Sequence, residues 1–102
     1  MSAINQTVEV LVGGQALLEV YASGYPLISS DNISWYWPNG SIIQENEAEF
    51  MNDGRTLFLV NVQLMDAGTY RCEVTLPGTG GSRSALIQLS IHSKDYKAEN
   101  VQ

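Results

Sequence analysis

Asp66-Ala67-Gly68-Thr69-Tyr70-Arg71-Cys72 is the stretch on which the reading of this 102-residue chain turns. Asp66 and Gly68 are turn residues, one a carboxylate that accepts hydrogen bonds from nearby backbone N–H groups, the other free of the Cβ that restricts φ. The β-branched, aromatic and aliphatic residues that follow predict a strand over Gly68 to Leu76. Successive side chains of a strand point to opposite faces, so Tyr70, Cys72 and Val74 share one face and Arg71 and Glu73 the other.

Outward from this strand the chain breaks into short β-type runs separated by turn signals, and no stretch longer than ten residues carries an apolar stripe at helical spacing. Upstream, Thr7 to Val12 and Gln15 to Ala22 form the first two strands, divided by a Gly13-Gly14 turn. Ser23 to Asp31 is a loop, and Ile33 to Trp37 is a third strand. Pro38-Asn39-Gly40 predicts a type I′ hairpin turn, because Asn-Gly tolerates the left-handed conformation at both central positions, with a short strand over Ser41 to Gln44 beyond it. Glu45 to Glu49 is a poor strand former, and the Asn52-Asp53-Gly54 turn launches a strand over Thr56 to Val62. Downstream, the glycine-rich tip Pro77 to Gly81 joins Gly68–Leu76 to a last strand, Ser82 to His92. The chain reads as all-β, with residues 1–4 a leader bearing an added start Met, 5–92 one excised domain, and 93–102 a polar linker or tail.

The string Asp66 to Cys72 resembles the immunoglobulin strand-F signature, in which a tyrosine two residues before the second cysteine closes the E–F corner through its hydroxyl. Leu57-Phe58-Leu59-Val60-Asn61-Val62 looks like the family's strand E. Trp35, within Ser34-Trp35-Tyr36, stands where the family keeps the strand-C tryptophan that packs over the inter-sheet bridge. The resemblance spans residues 5 to 92 and implies a two-sheet Greek-key sandwich. Leu18-Glu19-Val20-Tyr21-Ala22-Ser23-Gly24 is similar to the family's strand B, which would place the first cysteine at position 20, where this chain has Val20. The 52 positions separating Val20 from Cys72 suit the shorter I-set sandwiches, since variable-type domains insert strands between C and E. The resemblance therefore implies an I-set-like domain without the inter-sheet disulfide, with Val20 beside the Cys72 thiol under Trp35.

Alternation sorts the remaining side chains. Ala16, Leu18, Val20 and Ala22, then Ile33, Trp35 and Trp37, point inward from the second and third strands. Leu57, Leu59, Val62, Tyr70, Cys72, Val74, Ala85, Ile87, Leu89 and Ile91 complete one core. The outward side chains compose two candidate binding faces. On the C–F–G sheet stand Tyr36, Arg71, Glu73, Leu86 and Gln88, the aromatic-plus-arginine mix enriched in recognition surfaces, and members of the resembled family often bind through this sheet. On the B–E sheet, Leu17, Tyr21, Phe58 and Val60 project together as an apolar patch of the kind that marks an interface or a neighbouring domain. A register shift of one residue, or coverage by the first strand, would remove that patch.

Eleven acidic against five basic residues give a formal charge of −6, which disfavours phosphate backbones and anionic lipid surfaces, so neither nucleic acid nor membrane insertion is expected. A catalytic reading finds little to build on. Cys72 is the only thiol, set in a core strand where burial suppresses reactivity, and His92 is the only histidine. Glu45, Glu47 and Glu49 lack the glycine-turned ligand spacing of a calcium loop and read as a solvated acidic segment. Gly78 to Gly81 precedes no helix and no lysine, so it is not a phosphate-binding loop. No cofactor, metal or enzymatic activity is expected. Asn5-Gln6-Thr7, Asn32-Ile33-Ser34 and Asn39-Gly40-Ser41 match the N-glycosylation acceptor, which is usable only in the secretory pathway. The expected role is a cell-surface or secreted module binding another protein, possible copies of itself included, alongside neighbouring domains of a larger chain. The alternative is a structural module of the intracellular, filament-associated titin type, which the resemblance also covers and which the missing cysteine favours.

Overall fold

The structure is a computed structural model that describes residues 4–20, 32–75, 78 and 81–93. Among the described residues, seven strands form two sheets: β1 (Ile4–Leu11), β2 (Ala16–Glu19), β3 (Ile33–Tyr36), β4 (Glu49–Met51), β5 (Thr56–Leu59), β6 (Gly68–Thr75) and β7 (Ser82–His92). One sheet has the order β1-β7-β6-β3 and the other β2-β5-β4, an immunoglobulin-like sandwich. In family letters these are A′-G-F-C and B-E-D. No helix among the described residues is long and apolar enough to cross a membrane.

The core lies between the sheets and follows from the alternation. Ala16 and Leu18 of β2 lie opposite Leu59 and Leu57 of β5, and all four are buried. Trp35 faces Cys72 across the β3–β6 pair, with Tyr70, Ile87 and Leu89 buried alongside. Each large apolar side chain removed from water in this way contributes roughly 1.5–3 kcal/mol relative to an exposed one. The Trp35 indole keeps its N–H satisfied by donating to the Gly54 carbonyl at 2.8 Å, which ties the sheets together through the turn before β5. Cys72 is a free, buried thiol, so no disulfide joins the sheets.

The corner before β6 carries the expected bonds. The Tyr70 hydroxyl donates to the Asp66 carbonyl at 2.7 Å, and the Asp66 carboxylate accepts the Gln63 N–H at 2.7 Å at the start of a 3-10 turn over Leu64–Asp66. The Gly13 and Asn52-Asp53-Gly54 turns also form, all four residues taking positive φ.

Several expectations require correction. The sheet of the first strand, left open by the sequence, is now fixed: β1 runs parallel to β7, in the sheet opposite β2. The strand expected over Ser41 to Gln44 reduces to one bridge between Tyr36 and Ile42. The preceding turn is not type I′, because only Gly40 is left-handed (φ 96°). Gly40 N–H donates to the Trp37 carbonyl and Trp37 N–H to the Ser41 carbonyl, the three-residue loop in which Pro38 begins a turn and glycine supplies the left-handed residue. The acidic segment is partly ordered by Glu47, whose Oε1 accepts the Gln44 N–H and the Trp37 indole N–H. These bonds, the backbone one foremost, hold its carboxyl below the usual range. Glu49 opens β4, a strand the composition did not predict. Val20 packs on the rim of the core, half-buried, rather than at its centre, and Ala85 is likewise half-buried. Ile43, buried at 5% exposure, is a core residue that the inward assignments left out. The expected loop over Ser23 to Asp31, the inward Ala22, most of the Pro77–Gly81 tip and the tail beyond Ser93 lie outside the described residues.

Candidate protein-binding face

The four-stranded sheet positions Tyr36, Arg71, Glu73, Leu86 and Gln88 on its outer side. Tyr36 of β3 pairs with Arg71 of β6, which pairs with Leu86 of β7, so the three form one row across the sheet. Glu73 lies between Ser34 and Ser84 in the next outward row, and Gln88 lies beside Thr69. All five are half-buried rather than fully open, because each side chain leans on its neighbours.

Arg71 is the hub. Its guanidinium lies 3.9 Å from the Tyr36 ring centroid, over the electron-rich face that attracts a cation. Its Nη1 donates to Glu73 Oε1 at 3.1 Å. Both side chains are about one-third exposed, so solvent screens the pair and its contribution to folding is at most about 1 kcal/mol. What the arrangement does is hold a long, rotamer-rich side chain in one geometry. Ser82 Oγ approaches the other Glu73 oxygen at 3.4 Å, and Thr69 Oγ1 donates to Gln88 Oε1 at 2.8 Å, extending the polar network over β6 and β7.

β1 widens this face. Thr7, Glu9 and Leu11 are exposed on β1 beside Gln88, Ser90 and His92 of β7, and Glu9 Oε1 lies 3.5 Å from His92 Nε2. Sequence reading left these residues out because alternation identifies which side chains of β1 face outward and not which sheet they face outward from.

On the opposite sheet, part of the expected apolar set is exposed. Leu17 and Phe58 are direct cross-strand partners, with Glu49 beyond Phe58. Leu17 is 45% exposed and Val60 59%, while Phe58 is half-buried. The expected register holds, and β1, lying in the other sheet, does not cover them. Tyr21 lies outside the described residues. The buried Cys72 thiol is pushed up to about 12 by desolvation and the neighbouring Glu73, which leaves it protonated and a poor nucleophile at neutral pH. Asn32 and Asn39 flank β3 at its two ends, the first half-buried and the second exposed. Asn5 falls within β1, at a shift in its pairing with β7.

The family model for the immunoglobulin I-set domain matches residues 1–91 of the chain. The chain belongs to the I-set family. It is 31% identical to human Hemicentin-1 over 91 residues, covering 89% of this chain and 2% of that protein. It is 36% identical to Lachesin of Drosophila melanogaster over 67 residues, 66% of this chain and 17% of that protein. The domain therefore spans a small fraction of the curated relatives it matches. Among solved structures it superposes on the Ig-like domain of human Leucine-rich repeat-containing protein 4 with a TM-score of 0.67 and 26% identity, covering 90% and 85% of the two chains. Sidekick-1 immunoglobulin domains 1–4 give 0.71 at 20% identity, covering 86% of this chain and 23% of that one. The titin domains Z1Z2, solved in complex with telethonin, give 0.67 at 23%, covering 87% and 45%. The last two likenesses speak to the fold alone.

Proposed function

We propose that this I-set domain is an extracellular recognition module, without catalytic activity, that binds a partner protein through the outer side of the β1-β7-β6-β3 sheet, a second copy of the domain being one candidate partner. The observation that carries the reading is the Tyr36–Arg71–Glu73 arrangement at the middle of that sheet. An arginine already stacked and ion-paired has given up most of its rotamer freedom before a partner arrives, so docking costs less ordering entropy. Tyrosine and arginine are also the residues that most often dominate binding energy. The three N-glycosylation triplets support the extracellular address.

The exposed Leu17 and Val60 beside Phe58 favour a second reading, in which the β2-β5-β4 sheet carries the contact. Beads coated with the domain report self-association, and soluble labelled domain reports binding to cells. Tyr36→Asp and Leu86→Asp are expected to abolish whichever signal the unmodified domain gives, and Phe58→Asp to preserve it. Loss only in Phe58→Asp transfers the function to the opposite sheet, and full retention in all three discards both faces.

A further inference from the structure

We propose that Asn39 is an N-glycan acceptor and that the first sugar of its glycan rests in the hollow beside it, over Met65. Of the three acceptor triplets, Asn39-Gly40-Ser41 is the one placed at an exposed hairpin tip. Asn5 is part of the β1 ladder, and Asn32 is half-buried and already has an interaction partner.

The side-chain geometry at Asn39 leaves the reacting atom available. Both the Ser41 N–H, at 2.9 Å, and the Ser41 hydroxyl, at 2.7 Å, reach Asn39 Oδ1. A backbone N–H can only donate, so the atom it meets is the oxygen and the amide nitrogen is directed elsewhere. Asn39 Nδ2 has no partner among the described residues. Transfer forms a bond between Nδ2 and the anomeric carbon of an oligosaccharide and breaks that carbon's bond to a lipid-linked diphosphate. The diphosphate departs with the bonding electrons, and Nδ2 gives up one proton. The lipid-linked donor belongs to the secretory pathway, so use of the site in the cell rests on the extracellular reading above.

A hollow of about 460 Å³ opens beside Asn39, between the hairpin and the corner before β6. Trp37, Pro38, Met65 and Tyr70 line it, together with Glu47 and Asp66. A pyranose presents C–H groups on its faces and hydroxyls around its edge, which suits an apolar wall bordered by carboxylates. Glu47 and Asp66 each use one oxygen in the bonds described above, which leaves the other as an acceptor. Met65 is 87% exposed, the largest value among the exposed apolar side chains of the described residues, and a sugar lying there withdraws it from water.

The test is secretion of the full chain from mammalian cells behind an added secretion signal, which brings it to the transferase whatever its native address. Site-resolved peptide mass is expected to show Asn39 occupied, and Asn39→Gln and Ser41→Ala to remove that mass. A folded, secreted product with unmodified Asn39 overturns the acceptor assignment. The glycosylated protein and Asn39→Gln are then exposed to hydrogen peroxide, with Met51 as internal reference. Sulfoxide formation at Met65 is expected to be at least about threefold slower in the glycosylated form, since oxidation follows exposure. Equal rates overturn the placement of the sugar. Loss of either claim leaves the Tyr36 and Leu86 experiments untouched, so failure here and failure of the recognition reading are separable.

Discussion

A β-carbon at Gly68 would lie 2.8 Å from both Cβ and Cγ of Pro38. Gly68 also holds φ at +148°, outside the range of side-chain-bearing residues. The glycine that opens β6 is thus required twice, for its backbone angle and for the approach of the β3 hairpin to the corner. Gly68→Ala is expected to cost about 2–4 kcal/mol, the sum of backbone strain and overpacking. Gly40 is left-handed with nothing near its missing Cβ, so Gly40→Ala should cost only about 1 kcal/mol. Urea denaturation of both variants checks the difference, and equal costs would contradict the steric account.

Tyr70 reaches back to the Asp66 carbonyl with the hydroxyl of a fully buried ring. Tyr70→Phe keeps the ring's edge contact with Trp37, whose centroid is 6.0 Å away, and removes the hydrogen bond alone. A loss of about 1–2 kcal/mol is expected, because a part-buried carbonyl is left without its donor. An unchanged denaturation midpoint would show that water replaces the hydroxyl at no cost.

Restoring a cysteine at position 20 tests the family alignment. Val20 packs against the core cluster that includes Cys72. Val20→Cys, refolded under oxidising conditions, is expected to form one intramolecular disulfide and gain about 2–4 kcal/mol, chiefly by restricting the unfolded chain. Intact mass with and without alkylation reports the bond, and denaturation reports the gain. A variant that stays fully alkylable after oxidation would place position 20 out of bonding range of the Cys72 sulfur.

Stability should fall in alkali. Burial, with Glu73 adding to it, pushes the Cys72 thiol from an ordinary 9.0 up to about 12, and burial, with Asp66, pushes the Tyr70 phenol from 10.0 to about 12. Above about pH 9 the unfolded chain releases protons that the folded chain retains, so the unfolded state is favoured as pH rises. The contribution of both groups is complete below pH 9 and is lost as pH passes through about 12. Urea midpoints measured from pH 8 to pH 11 are expected to decline, with a shallower decline in Tyr70→Phe and in Cys72→Ala. At pH 8 the thiol should react with a disulfide reagent only after unfolding.

Much of the sandwich was legible because a strand's side chains alternate whatever it pairs with. Leu18, Trp35, Leu57, Tyr70, Cys72, Ile87 and Leu89 were identified as inward on that basis and all are buried. The Tyr36–Arg71–Leu86 row was legible for the same reason, once the strand-F resemblance named the neighbours. β4 was not, because the composition of Glu49-Phe50-Met51 is a weak strand signal and its pairing with Thr56 to Phe58 supplies the hydrogen bonds that make it one. Glu47 is exposed, as read, but its bond to the Trp37 indole was not legible, because the two lie ten residues apart and no local pattern links them.

The sequence by itself determined which faces of the strands are apolar, where the turns fall, and that position 20 offers no sulfur to Cys72. Those are local properties of side-chain type and of backbone freedom at particular residues. The tertiary structure alone decided that β1 joins β7 and extends the Arg71 sheet, that Gly68 meets Pro38, and that Asn39 borders a hollow with Met65. Each of these brings together segments far apart along the chain, and such meetings are chosen by competition among pairings across the whole sandwich rather than by the preferences of either partner.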